Sequence, residues 1–278
     1  IRIESAMYLQ YWNLNRPPFE CDFHPAFFFR SRSHQAALLK LRYLIDGNKG
    51  AGLLVGDTGA GKSFLTSYLA TELDSKYDPF VTLHYPLLNP TELIACLATE
   101  LGGNTGDSYD SEPRVDRLLL SLKSTLSHHT DDGRHPVIVL DDAHLIEDAR
   151  IFQTLQLILN LRHKTPFNII LTGQPSLLTQ VAQVPALDQR METRSLLRPF
   201  SREETGAYLR HQLLSAGLQS DVFTTDALSE IHELSGGMPR QINRLADLAL
   251  LVGYADNLST LEPQVIGSVA KEIGIPTR

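Results

Sequence analysis

Residues Gly56 to Ser63 read Gly-Asp-Thr-Gly-Ala-Gly-Lys-Ser, and no other stretch of this chain restricts its fold as strongly. Two glycines five apart, the second followed by Lys and a hydroxyl residue, make the pattern of a phosphate-cradling loop. Lacking a Cβ, such glycines reach left-handed backbone conformations and let successive N–H groups converge on an anion. In this pattern Gly56, Asp57, Thr58, Gly59, Ala60 and Gly61 wrap phosphate with backbone, and Lys62 reaches the terminal phosphates. Ser63 offers its hydroxyl to Mg²⁺, and Phe64 completes the binding segment. Gly52-Leu53-Leu54-Val55 leads in as a short buried strand, while Leu65, Leu69 and Leu73, with Tyr68 beside them, lead out as a helical stripe. A helix that starts at the lysine turns its positive dipole end toward the phosphates.

The chain has 278 residues, enough for one large domain or a large one plus a small one. Its formal net charge of −7 argues against broad electrostatic capture of nucleic acid. Arg30, Arg32, Lys40 and Arg42 interleave with Leu38, Leu39 and Leu41, which reads as a solvated helix face rather than a basic patch. Cys21 and Cys96 are the two cysteines, and neither has a second cysteine at metal-ligand spacing, so both read as ordinary thiols of a reducing cytosol. No apolar run approaches the ~18 residues of a membrane span, and Asp247 interrupts the nearest candidate, Leu245 to Ala255. There is no signal peptide pattern. Met7 reads as a natural start, with residues 1–6 an alternative start or a non-native remnant, and these six are excluded from the fold reasoning.

Residues 7–34 are aromatic-rich and irregular, with Tyr8, Tyr11, Trp12, Phe19, Phe23 and Phe27-Phe28-Phe29, and Pro17-Pro18 stops a helix. These rings either cover the side of the core or meet an adenine ring. Ser33 to Leu44 reads as a helix, and Phe80 to Tyr85 as a strand. Asn89-Pro90-Thr91-Glu92 starts a helix that ends near Gly102-Gly103. A polar, exposed loop is expected from there to Pro113, followed by a helix to His129. His128, His129 and His135, with Asp131 and Asp132, fit no usual ligand spacing and read as a solvated loop.

Val137 to Leu140 is a fully apolar strand that ends in Asp141-Asp142. The C-terminal ends of parallel strands are where ligands bind in open α/β sheets. A carboxylate there can hold Mg²⁺ opposite the loop hydroxyl, and the next can orient or deprotonate an attacking water. Ile146 to Arg162 reads as an amphipathic helix, Phe167 to Thr172 as another buried strand, and Arg194 to Arg198 as a last short one. From Ser201, a capping box opens four helices at about 201–216, 225–234, 239–254 and 262–272. The expectation is a parallel α/β sheet of about five strands flanked by helices, spanning 7–200 and including the aromatic segment, then a small all-helical domain at 201–278.

This order of features resembles the AAA+ P-loop ATPases, and within them the secretion-pathway protein A group, related to the origin-recognition and transposition-regulator ATPases. The resemblance runs from Met7 almost to the end. It rests on Tyr11 to Phe19, the P-loop, Asp141-Asp142-Ala143-His144, Thr172-Gly173-Gln174-Pro175, Gln189-Arg190 and Ser235 to Arg244, which reads Ser-Gly-Gly-Met-Pro-Arg-Gln-Ile-Asn-Arg. It implies Mg-ATP hydrolysis, with ATP and ADP as bound nucleotides and a nucleotide-dependent ring or oligomer that remodels a partner complex of a secretion or envelope assembly. Asp141 matches the Mg²⁺-associated acid, and Asp142 stands where the family usually has a water-activating glutamate. Thr172 matches the residue that senses the γ-phosphate. Arg190 matches the finger that reaches a neighbouring subunit, with Arg194 competing for that role, and Arg240 matches the arginine of the helical lid.

Two departures qualify the resemblance. Asp142 is one methylene shorter than glutamate, which leaves open a nucleotide-gated binding switch with little turnover. Secretion members also continue into a membrane helix and a periplasmic region. This chain stops at Arg278, which reads as a truncated piece or a soluble single-module relative, cytoplasmic and peripheral to the inner membrane through a partner. A DNA-acting regulator of transposition type ranks lower because of the acidic balance.

Overall fold

The computed structural model describes residues 2–20, 23–84, 88–103 and 115–275, and for 2–6 the backbone alone. Cys21, Tyr85, the polar stretch before Pro113 and the terminal Arg278 lie outside the described residues. The described chain divides into two units. One holds residues 35–58 and those from 65 to 197; the other holds the residues up to His34, then 59–64, then those from 198 onward.

Five short strands make the first unit's sheet: β1 (Ala51–Val55), β2 (Phe80–Leu83), β3 (Val137–Leu140), β4 (Asn168–Gly173) and β5 (Met191–Leu196). All pairings are parallel, in the order β2-β3-β4-β1-β5. β1, β3 and β4 are buried along their whole length, as their uninterrupted Val, Ile and Leu content requires of a sheet covered on both faces. Three helices, α4 (Pro90–Glu100), α5 (Val115–Asp131) and α6 (Ala149–Leu159), share one core with the sheet. Each buries residues at helical spacing: Leu93, Ile94 and Leu97 on α4, Leu118, Leu122 and Leu126 on α5, Ile151, Phe152 and Leu155 on α6. The expected capping box opens α4, where Asn89 accepts from the Glu92 N–H and the Glu92 carboxylate accepts from the Asn89 N–H at 2.7 Å. Short helices α7 (Ser176–Ala182) and α8 (Pro185–Asp188) join β4 to β5.

The last strand begins three residues before its expected start. Its inward side chains are Met191, Thr193 and Ser195, alternating with exposed Glu192, Arg194 and Leu196, so no apolar run announces it. Gly52 makes room for it, since a Cβ there would lie 2.5 Å from the Thr193 hydroxyl. The histidines near the 131–136 turn have separate partners. His129 Nε2 donates to the Leu101 carbonyl at 2.8 Å, and His135 Nε2 to the buried Asn168 side chain at 2.6 Å.

Two helices, α2 (Arg32–Asp46) and α3 (Lys62–Glu72), run through both units. The second unit contains α1 (Arg2–Tyr11) and the four expected helices, α9 (Arg202–Ser215), α10 (Thr225–Ser235), α11 (Pro239–Ala255) and α12 (Pro263–Glu272). Leu209, Leu213, Ile231, Ile242, Leu245, Leu250 and Ile266 fill its core. The aromatic segment, expected with the α/β domain, packs here instead. Tyr8, Trp12, Leu14 and Phe19 are buried in this core, and Phe29 meets Phe200 and Tyr208 edge-on at 5.5 and 5.6 Å. The reason is the shape of α11. Gly253 leaves a notch in which a Cβ would lie 2.9 Å from the Trp12 ring, and Trp12 Nε1 donates to the Leu250 carbonyl at 2.9 Å. Tyr11 stands edge-on to Trp12 at 4.9 Å and donates its hydroxyl to Leu258 O at 2.8 Å.

Replacing Trp12 by Ala removes a large buried ring, and the expected cost is about 3–5 kcal/mol, read from urea unfolding of the helical unit. A second expectation concerns acid. Burial pushes His34, His135 and His211 below the ordinary histidine value of 6.5. The unfolded chain then binds more protons than the native chain below that pH, so stability is full above about pH 6.5 and declines as pH falls. Urea midpoints measured from pH 7.5 down to pH 5 should fall steadily, and a flat profile would contradict the neutral state of these rings.

Candidate functional site

The sheet order brings three strand ends together. β1 lies beside β4, with Leu54 paired to Thr172 and Val55 to Gly173, and β4 lies beside β3, with Leu171 paired to Leu140. The residues that follow these ends are Gly56 after β1 and Asp141 after β3. The Gly56 N–H donates to Gly173 O at 3.1 Å, which carries the ladder one step into the glycine loop. Chain crossing from β1 to β2 at the far edge, over β3 and β4, makes this a topological switch point.

At the end of β3, Asp141 is 6% exposed. Its Oδ1 accepts from the Thr172 hydroxyl and, at 3.0 Å, from the Asp142 N–H. The exposed His84 ring stands 3.7 Å from Oδ2. A carboxylate locked by two donors on one oxygen keeps a fixed orientation for the other. Thr172 is fully buried, and its hydroxyl is spent on Asp141. Asp142 turns the chain in a left-handed conformation (φ 49°), which is uncommon for a residue with a side chain. Its carboxylate is exposed, 3.8 Å from His144 Nδ1.

Gln174 was legible only as part of a resembling motif, without a role. Its side-chain amide donates to the Thr58 hydroxyl in the glycine loop at 3.1 Å, so it joins the end of β4 to the loop.

Further along the loop, Gly59 and Gly61 take positive φ values of 83° and 92°. Both are also crowded. A Cβ on Gly59 would lie 2.7 Å from Arg240 Cβ, and one on Gly61 would lie 3.0 Å from His34 Nε2. Lys62 and Ser63 open α3, and Lys62 is buried. Phe64 stacks parallel to Phe28 at 6.3 Å and meets Phe23 edge-on at 5.0 Å.

Arg240 sits in the first turn of α11, after Pro239. Its backbone N–H donates to Gly59 O at 3.3 Å, and its side-chain stem covers Gly59. The turn that delivers it needs its glycines: Gly236 ends α10 in a left-handed conformation. At Gly237 (φ 74°), a Cβ would fall 2.2 Å from Phe200 O.

The two remaining arginines lie elsewhere. Arg190 precedes Met191, which pairs with Ala51 at the N-terminal end of β1. At about 3.3 Å per strand residue, that is roughly 16 Å from Gly56 at the other end of the strand. Arg190 donates to the Asn160 side chain at 2.5 Å, and Arg194 pairs with Asp188 at 2.7 Å. Arg190 thus lies at the end of the sheet opposite Gly56, and Arg194 lies in mid-strand, paired with Leu53.

A family model described as an AAA domain matches residues 45–181. General secretion pathway protein A of Aeromonas hydrophila is 32% identical over 254 residues, which is 90% of this chain and 45% of that protein. The chain thus spans under half the length of the curated relative it matches. Among solved structures, Cdc6p from Pyrobaculum aerophilum superimposes with a TM-score of 0.75 at 17% identity, covering 92% of this chain and 70% of that one. The Aeropyrum pernix ORC2 protein, solved in ADPNP–ADP complexes, gives 0.70 at 15% identity, covering 93% and 72%. Over that coverage the chain shares the fold of these structures. The chain carries an AAA domain over residues 45–181 and the fold of the AAA+ P-loop proteins.

Proposed function

We propose that the chain binds Mg-ATP at Gly56–Phe64 and hydrolyses it to drive rearrangement of a partner complex, as a member of an oligomer. The observation that carries this reading is the end of β3, where a buried carboxylate, Asp141, is held by Thr172 beside the strand that feeds the glycine loop. A buried carboxylate needs hydrogen bonds or a cation to offset its desolvation, and one at the ligand-binding edge of a parallel sheet suits a cation.

The donors suit Mg²⁺, a hard cation that takes carboxylate and hydroxyl oxygens; Asp141 and Ser63 supply both kinds. When bound, the ion neutralises charge on the β- and γ-phosphate oxygens. The protein's own residues do the rest. Backbone N–H groups of Gly59, Ala60 and Gly61 and the Lys62 ammonium bind phosphate. Thr172 fixes the orientation of Asp141, and Asp142 orients the attacking water and takes its proton. Arg240 rides on Gly59 and senses the phosphates from there. Arg190 lies at the far end of the sheet, where it can serve a second copy of the chain but not its own loop. The 32% identity to a general secretion pathway protein favours a secretion or envelope complex as the partner and a cytoplasmic place at the inner membrane. Among the described residues, no helix is long and apolar enough to cross a membrane.

Phosphate release under Mg-ATP, at concentrations that favour oligomers, tests this. Lys62→Ala should reduce it to background, and Arg190→Ala should lower turnover by about a hundredfold or more while leaving the mass of the nucleotide-free protein in light scattering unchanged. Asp142→Glu restores the missing methylene and should raise turnover about three- to tenfold. Wild-type release equal to that of Lys62→Ala would reduce the chain to a nucleotide-gated binding module.

A further inference from the structure

Ala60 lies in the middle of the glycine loop, and its carbonyl faces a histidine that no loop motif includes. His34, in the first turn of α2, places Nε2 at 3.0 Å from Ala60 O and Nδ1 at 2.8 Å from the Ser31 hydroxyl oxygen. Ser31 and His34 are 2% and 5% exposed, and the imidazole packs near the rings of Phe28 and Phe200, at 6.3 and 5.6 Å. A carbonyl oxygen only accepts, so Nε2 must carry the proton. Burial keeps the ring neutral, which leaves Nδ1 to accept from the Ser31 hydroxyl. The Ala60 carbonyl thereby fixes the tautomer, and the Ser31 hydroxyl follows it.

The direction of this hydrogen bond has a consequence one atom further on. In a trans peptide the C=O and the N–H of the next residue point opposite ways. Drawing the Ala60 carbonyl toward the imidazole turns the Gly61 N–H to the other side of the loop. Gly61 has φ 92°, and His34 Nε2 occupies the space that a Cβ would need. The histidine therefore holds the peptide in one orientation, and only glycine permits that orientation at 61.

We infer that His34 is a positioning residue that sets the Ala60–Gly61 peptide plane so that the Gly61 N–H is presented to a nucleotide phosphate. This rests on the nucleotide-binding reading above and adds to it a residue from outside the loop. An unheld peptide would rotate, and a rotated plane would put the Ala60 carbonyl, a partial negative charge, where the phosphate oxygens must sit. Ser31, whose hydroxyl can donate or accept, adapts to the tautomer that the Ala60 carbonyl sets and holds the ring in place.

The test separates a donor from a space-filler. His34→Leu fills the pocket without a donor, whereas His34→Gln places an amide N–H near the position of Nε2. Mg-ADP affinity, measured by calorimetry, should fall about tenfold in His34→Leu and return to within about threefold of wild type in His34→Gln. Equal affinity in His34→Leu and wild type, or an equal loss in both variants, would overturn the inference. Should His34→Leu not fold, the ring itself decides. Long-range ¹H–¹⁵N spectra of the wild type, assigned with His34→Gln, should show a neutral Nε2–H ring at neutral pH whose signals move on adding Mg-ADP. An Nδ1–H ring, an imidazolium, or signals indifferent to Mg-ADP would overturn it. Binding that Lys62→Ala abolishes but His34 does not affect defeats this inference alone, while a wild type that binds no Mg-ADP defeats the nucleotide reading with it.

Discussion

The shape of the glycine loop depends on a backbone that glycine alone adopts readily. Gly59 and Gly61 take left-handed conformations, and each is pressed from outside by a side chain, Arg240 in one case and His34 in the other. A loop with several successive N–H groups facing one way has lost the hydrogen bonds that a helix or strand would give them. Such a loop holds its shape only when its carbonyls are fixed on the opposite side. Gly59 O is fixed by the Arg240 N–H and Ala60 O by His34, and Gly56 continues the sheet ladder through Gly173. Two of the loop's carbonyls and the Gly56 N–H are thus held by neighbouring groups.

The acidic half of the chemistry follows from strand order rather than from the loop. Because β4 separates β1 from β3, the residue that ends β4 can reach both neighbours. Thr172 uses that position to hold Asp141, and Gln174, two residues on, reaches Thr58. One strand end therefore ties Asp141 and the glycine loop to the same piece of backbone.

Much of this was legible in the residues. A strand–glycine loop–helix pattern, an apolar strand ending in two acids, and capping boxes at Asn89 and Ser201 are local signals, and each produced the element it announced. What was not legible is non-local. β5 was misread at its start because its inward positions are Met191, Thr193 and Ser195, polar enough to hide a strand at the edge of a sheet. The aromatic N-terminal segment was assigned to the wrong partner, since rings announce burial but not the surface that buries them; the notch at Gly253 that receives Trp12 lies 241 residues later in the sequence. His34 carried no signal at all, because a lone histidine in a helical stripe is indistinguishable from any core residue. Gln174 was visible only as a letter in a resembling motif, and its contact with Thr58 needed the geometry of β4.

The central claim is that Gly56–Phe64 binds nucleotide phosphate with Asp141 supplying the metal's carboxylate, and calorimetric titration of ADP with and without Mg²⁺ addresses it most directly. The expected result is saturable binding at one site per chain in wild type, tightened by Mg²⁺, with the Mg²⁺ effect lost in Asp141→Asn while metal-free binding persists. Absence of binding in the wild type, or an Asp141→Asn protein whose affinity responds to Mg²⁺ as the wild type does, would contradict it.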